Sequence, residues 1–389
     1  MILAMTLIDS PSGYDAELAV VGLGALGSHA FWRLAARGKD VLGFEQFRTG
    51  HDQGSTHGHT RLFRTLCLEQ PGLVPLARRS LALWRELEQE RGTHIVRLTG
   101  ALMIGTAASE TVRGVRKAAE VHGQDIRTLS AAELRKEYPQ HAGITDDDVA
   151  IFDPDAGVAR PEAAVIAATE AAVAAGGHLV SQVAVSRIEL VTDGVLIHTA
   201  ARTFRVRQVI VTPGPWLSTL LPDLPMRPTR TPLTWFRPAL DPAAFDLDRF
   251  PVFIRELASG GRLWGHGSDI DHPVKVGPED DPNYRLVDPD TVDRSISEAD
   301  YAHVSSLVAE ALPGLDPTPS ATATCMITRT PDMQFLLGRP YDDPRLLVGG
   351  GDSGHAFKHA PGLGEALAQL ASGEPLFTDL SFMNPNRYL

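Results

Sequence analysis

Cysteine is scarce: only Cys67 and Cys325 occur in 389 residues. Two thiols cannot build a disulfide framework, which excludes the stapled secreted class and points to a reducing cytoplasm. Positive charge is also short, with 36 Lys and Arg against 48 Asp and Glu and a net charge of −12. That deficit argues against nucleic acid or an anionic membrane surface as partner. No apolar run approaches the ~20 residues that a membrane helix needs. Residues 1–8 have no basic region and meet Asp9 and Asp15 at once, so they read as a short extension and not as a secretory signal. Internal repeats, low-complexity tracts and a Gly-x-Ser-x-Gly nucleophile elbow are all missing. His51, His57 and His59 share one stretch, but no cysteine or paired carboxylate supports them, so no metal is expected.

What is present begins with a βαβ unit. Residues 17–21 read as a buried parallel strand and residues 41–45 as a second one, with a helix to about Arg37 between them. The turn after the first strand is Gly22-Leu-Gly24-Ala-Leu-Gly27. Gly22 permits the tight turn, Gly24 lets backbone approach a pyrophosphate, and Gly27 allows helix and strand to pack closely. The phosphates then meet the N–H groups and positive dipole of a helix N-terminus. Glu45 closes the second strand about 20 residues past the first glycine, placed to accept the ribose hydroxyls of an adenosine.

Further along, Arg160-Pro-Glu opens an alanine-rich helix that Gly176 and Gly177 end. Strands follow over 183–190 and 195–199, joined at Asp193-Gly194, and a run over 206–212 leads into Pro-Gly214-Pro-Trp216. Between these blocks, and again over 221–324, the composition shifts to aromatics, prolines and mixed strand-like stretches. The length suits two domains. The expected class is α/β with α+β elements: a Rossmann-type nucleotide-binding domain (1–90, 149–220 and 325–389) interleaved with a β-sheet substrate-binding domain (91–148 and 221–324).

The far end of the chain returns a thiol, a histidine and a lysine among glycines. Residues 325–332 are Cys-Met-Ile-Thr-Arg-Thr-Pro-Asp, and residues 350–358 are Gly-Gly-Asp-Ser-Gly-His-Ala-Phe-Lys. Near the start, residues 54–64 are Gly-Ser-Thr-His-Gly-His-Thr-Arg-Leu-Phe-Arg. A helix over this stretch would set Thr60, Arg61 and Arg64 one turn apart and the two arginines on one face.

With the glycine fingerprint, these motifs resemble those of the sarcosine oxidase and N-methyltryptophan oxidase group of FAD-dependent amine oxidases, in order and over nearly the whole chain. The resemblance implies FAD, joined to Cys325 through a thioether, whereas Cys67 reads as core. It implies Arg61 against the flavin, Arg64 and Lys358 as a carboxylate clamp, His355 near the flavin, and Lys275 as a cation that assists oxygen. Gly349, Gly350, Gly351 and Gly354 would let backbone press on the ring, and a helix from about Pro361 would turn its positive end to the pyrimidine side. The cofactor contacts expected are Gly22, Gly24, Gly27, Glu45, Thr60, Arg61, Gly214, Trp216, Cys325, Gly351, Gly354 and Lys358. Three positions depart from the pattern: Trp264 and Ile327 stand where tyrosines are usual, and Glu279 replaces a histidine. The clamp survives while the pocket changes shape and polarity, so a bulkier N-methyl or cyclic amino acid is expected in place of sarcosine.

The expected activity is therefore oxidation of a secondary amine or amino acid, with oxygen as acceptor and hydrogen peroxide as product, by a cytoplasmic enzyme that is a monomer by resemblance. Two alternatives stay open at this point: a flavin dehydrogenase or demethylase using another acceptor, and an NAD-dependent oxidoreductase.

Overall fold

The structure is a computed structural model and describes residues 13–270, 272–279 and 284–389. The expected N-terminal extension lies outside these residues. Strand β1 (Ala16–Val21), helix α1 (Ala25–Ala36) and strand β2 (Val41–Glu45) form the βαβ unit within a residue of the expected bounds. Both strands are almost wholly buried and β1 pairs in parallel with β2, as continuous apolar runs in a covered sheet require.

Five parallel strands make the centre of an eight-stranded sheet. β1 lies between β2 and Thr203–Val211, with His178–Ser181 outside β2 and Leu346–Gly350 beyond Thr203–Val211. The hairpin Val185–Val191/Gly194–Thr199 turns at Asp193 and extends the sheet antiparallel. α1 packs between the helices Pro161–Ala174 and Ala360–Ser372. Buried Glu365 of the latter helix ties Arg33 and Arg37 of α1 at 2.7 and 3.0 Å. Burial opposes its charge, but the two arginines outweigh burial and hold its carboxyl at about 2. The first and last thirds of the chain are thus joined around α1.

A nine-stranded, mainly antiparallel sheet makes the other half. Its longest pairing joins Arg227–Phe236 to Ala321–Arg329, with Thr231 opposite Cys325. Strands Asp148–Asp153 and Ala321–Arg329 both belong to this sheet, so the expected boundaries at 149 and 325 fall at or within its strands. No helix among the described residues is long and apolar enough to cross a membrane.

The stretch expected to be helical around Arg61 is instead a short strand, β3 (Arg61–Phe63), paired with Gly157–Ala159. Gly58 and His59 just before it have φ of +94° and +68°, in the left-handed region that stops an α-helix. The two arginines consequently face different partners.

Candidate active site

A cavity of about 790 Å³ runs from the β1–α1 turn to Lys358, between the two sheets. At one end the glycine turn forms a cradle. Gly22 has φ +89°, and a Cβ on Gly27 would lie 1.9 Å from the Gly22 carbonyl oxygen, so neither tolerates a side chain. Gly24 caps α1 without a side-chain hydrogen bond of its own, the Ala25 amide donates to Thr56 Oγ1 at 3.3 Å, and the positive end of the helix faces the cavity. Glu45 is buried beside the turn and accepts from the Leu23 and Phe47 amides at 3.0 and 2.9 Å. Gly214 and Trp216 line the same end, and the Trp216 indole donates to Asp290 at 2.6 Å. Ser55 Oγ and Thr231 Oγ1 are buried in the lining without a partner among the described residues. Both residues belong to the wall around Cys325, with Thr231 opposite it on the neighbouring strand. The glycine cradle, the buried acid beside it and a cavity of this size together fit FAD.

Cys325 lines the middle of the cavity, 3% exposed, with Sγ 3.5 Å from Arg61 Nη2. Burial pushes the thiol up, and the guanidinium pulls it down. The Thr60 and Ser55 carbonyls at 2.9 and 3.1 Å hold Arg61 in place beside the thiol. Cys67 is buried and its thiol is pushed up to about 12 by burial, as befits a core residue.

Arg64 and Lys358 come together at the far end, 5% and 3% exposed, on one carboxylate oxygen of Glu69. Arg64 Nη2 lies 2.8 Å and Lys358 Nζ 2.9 Å from Glu69 Oε1. Burial alone would raise the Glu69 carboxyl, but Arg64 and Lys358 outweigh it and hold it well below the usual range. An internal carboxylate thus shows that the pair is shaped for one. His355 adjoins them: its Nε2 meets the Met333 carbonyl at 3.1 Å, its ring packs on Phe335, and burial lowers it to about 4. It is therefore neutral at pH 7. Gly351 and Gly354 line the same loop.

Lys275 and Thr60 do not reach the cavity surface, whose wall here is Gly54, Ser55, Thr56 and Arg61. Lys275 is 1% exposed and donates to the Gly58 and Thr60 carbonyls at 2.8 and 2.9 Å. Burial first, then Arg61, lowers its pKa well below that of an ordinary lysine. Thr60 Oγ1 is taken up by His266 Nε2 at 2.7 Å. Of the three histidines of that stretch, His51 faces Glu45 at 3.3 Å, His57 is buried, and His59 stacks on His272 with centroids 3.7 Å apart.

The remaining chamber is lined by Leu68, Ile254, Trp264, Glu279, Ile327 and Met333. Trp264 lies flat across the neighbouring strand: it faces Gly277, where a Cβ would sit 2.4 Å from the indole Cζ2, and Nε1 donates to the Pro278 carbonyl at 3.2 Å. Two lining residues, Glu69 and Tyr284, lie outside the sequence motifs, and Arg329 lies inside one of them without a role assigned to it. Glu69 is an isolated acid five residues past Arg64, and Arg329 and Tyr284 meet only in space, with the guanidinium 4.1 Å from the ring centroid.

Residues 17–370 match the family of FAD dependent oxidoreductases designated DAO. The monomeric sarcosine oxidase of Streptomyces avermitilis is 34% identical over 95% of this chain and 97% of its own length. That of a Bacillus species is 32% identical over 95% and 96%, and the N-methyl-L-tryptophan oxidase of Yersinia pestis is 29% identical over 96% and 100%. Among solved structures, NikD, an amino acid oxidase of nikkomycin biosynthesis, shares the fold with a TM-score of 0.82 at 24% identity, over 95% of this chain and 97% of its own. A motif set that folds into one flavin-sized cavity and these full-length similarities agree: the chain is a sarcosine oxidase-like member of the DAO family of FAD-dependent oxidoreductases.

Proposed function

We propose that this enzyme oxidises a secondary amino acid, N-methyl or cyclic, with oxygen as the final acceptor. The observation that carries the reading is the Arg64–Lys358 pair, which already holds a carboxylate inside the cavity. A substrate carboxylate that displaces Glu69 there would fix the amino acid by its one constant group. Bound FAD supplies the two-electron acceptor for the N–CH bond and afterwards the donor that turns oxygen into hydrogen peroxide. The released imine hydrolyses to an aldehyde and a primary amine when the substrate carries an N-methyl group.

The chain's own residues bind and orient. Glu45 and the turn at Gly22, Gly24 and Gly27 would hold the adenosine and pyrophosphate end. Thr60, Gly214, Trp216, Gly351 and Gly354 would support the flavin end directly or from behind. Cys325 would make the thioether, with Arg61 favouring its thiolate. Neutral His355 and a chamber with few free charges favour the uncharged amine, whose lone pair drives oxidation of the adjacent carbon. Trp264 and Ile327 would set the shape around the amine substituent, and the two halves of the chain would act as a flavin domain and a substrate domain. Lys275 would act on oxygen through the wall it supports and not by contact. That Cys67 and Cys325 form no disulfide supports a reducing, cytoplasmic setting, and the full-length similarity to monomeric oxidases supports a monomer.

The position of Lys275 behind the wall gives weight to a second reading, a dehydrogenase passing electrons to another acceptor. A screen of N-methyl and cyclic amino acids, read both by peroxide and by an artificial electron acceptor, separates them. Substrate-dependent peroxide in air supports the oxidase, dye reduction without peroxide supports the dehydrogenase, and neither contradicts both.

A further inference from the structure

Several of the charged groups at the chamber's edge have counterparts among the described residues. Arg64 and Lys358 meet Glu69, Arg262 lies 3.6 Å from Glu110, and the Asp352 carboxylate accepts from the Thr328 and Gly354 amides at 2.9 and 3.0 Å. Arg329 differs: it lines the cavity, yet no carboxylate lies within ion-pair distance of it among the described residues. Its guanidinium rests on the Tyr284 ring and its Nη1 reaches the thioether of Met333 at 3.9 Å, while its buried Nε has no acceptor among the described residues. A guanidinium stacked by its face presents its N–H edge, which is the geometry for a planar carboxylate. Gln334 and His355 belong to the same lining, and their Oε1 and Nδ1 are buried without a partner among the described residues.

The place of Arg329 ties it to the clamp. Cys325, Ile327 and Arg329 alternate onto one face of Ala321–Arg329, which puts Arg329 about 13 Å along the strand from the thiol at ~3.3 Å per residue. A chain of contacts leads back to the carboxylate pair. Arg329 touches Met333, the Met333 carbonyl meets His355 Nε2 at 3.1 Å, and the His355 carbonyl accepts from Lys358 Nζ at 3.2 Å. Two cationic positions therefore flank one short loop in one cavity. The first is already matched to a carboxylate, while the second has none within ion-pair distance among the described residues, its electrostatic partner Asp352 being already held by the Thr328 and Gly354 amides.

We infer that Arg329 receives a second, distal carboxylate of the substrate, and that the preferred substrates are secondary amines derived from acidic amino acids. This rests on the oxidase reading above. The α-carboxylate takes the Arg64–Lys358 position, the N–CH bond lies over the flavin, and the side-chain carboxylate reaches the Arg329 edge near Gln334. Glu69, displaced from the clamp, is not part of the distal contact.

The test compares N-methylglutamate with its neutral isostere N-methylglutamine, adding N-methylaspartate and N-methyl-2-aminoadipate to bracket the length. A hydrogen bond to a charged group contributes about 1.5–3 kcal/mol, so the best dicarboxylate should exceed its amide in kcat/KM by about 10- to 150-fold. Arg329→Met and Arg329→Gln should both collapse that ratio towards one, with the flavin spectrum reporting that each variant is folded and loaded. Binding gives an independent readout: glutarate should perturb the flavin absorbance of the wild-type holoenzyme at lower concentration than its monoamide, and Arg329→Gln should remove the difference. No preference for the dicarboxylate, or a preference that survives both substitutions, overturns the inference. If no secondary amine is oxidised, the oxidase reading fails, and the glutarate comparison alone then decides whether Arg329 is an anion site.

Discussion

The sulfur of Cys325 lies 3.5 Å from the guanidinium of Arg61, and the two residues are 264 positions apart in the chain. Two elements make this contact: β3, which the Gly157–Ala159 strand holds in place, and the long strand pairing that sets Cys325 opposite Thr231. A thiol that burial pushes up needs a fixed cation to react as a thiolate, and Arg61 stands at hydrogen-bond distance from it.

Cys325→Ser should leave a folded protein whose flavin dissociates on acid precipitation, while the wild-type pellet stays yellow. Arg61→Met should keep the thiol and lose its activation, so flavin added to apoprotein binds but becomes linked far more slowly. Mass measurement of the intact chain over time checks both. A linked flavin in Cys325→Ser would refute the assignment.

Arg64→Met should raise KM for carboxylate-bearing substrates by about 10- to 150-fold, the worth of a charged hydrogen bond, with a smaller effect on kcat. Glu69→Gln should act in the opposite direction, because the internal carboxylate no longer competes for the pair. Its KM should fall by up to about tenfold, and a carboxylate ligand should stabilise the variant more than wild type in thermal unfolding.

Glu69 also predicts an acid limb in stability. Its folded pKa is depressed, so the stability it contributes is fully present above the ordinary carboxyl value of about 4.3 and is lost as pH falls through the lower folded value. Melting temperature plotted against pH should therefore drop more steeply below about pH 4 in wild type than in Glu69→Gln.

Lys275→Met should slow flavin reoxidation by oxygen and leave anaerobic reduction by substrate nearly unchanged, as stopped-flow traces of the two half-reactions would show. Because burial and Arg61 lower the pKa of Lys275, its charge is lost as pH rises through a value well below that of a free lysine. The oxygen half-reaction should slow over that rise in wild type and stay flat in the variant.

Gly277→Ala places a methyl group 2.4 Å from the Trp264 ring and must push the indole off the strand. Overpacking of this kind costs about 1–3 kcal/mol, and here it should also alter substrate choice. Trp264→Phe in the same background should recover stability; no recovery would mean that the clash is relieved elsewhere.

The nucleotide half of the site was legible because its chemistry is local. Gly22, Gly24, Gly27 and Glu45 lie within one βαβ unit, and periodicity alone locates the turn. The far half was legible as a set of residue types but not as geometry. The arginines at 61 and 64 look like a helical pair until the left-handed backbone at Gly58 and His59 breaks the helix and sends them to Cys325 and Glu69. The resemblance marks Lys275 for oxygen, yet its strand places it behind the wall, where it meets the Gly58 and Thr60 carbonyls and the Trp235 ring. The places of Glu69 and Arg329 could not be read, because Glu69 meets Lys358 across 289 positions and Arg329, although inside the 325–332 motif, meets the Tyr284 ring only in the fold.

The decisive measurement is anaerobic mixing of the holoenzyme with an N-methyl amino acid and, separately, with the same compound as its neutral amide. The oxidase reading predicts that the amino acid bleaches the flavin and that the amide does so only at much higher concentration, a difference that Arg64→Met removes. Equal bleaching by both, or none by any N-methyl or cyclic amino acid, would contradict it.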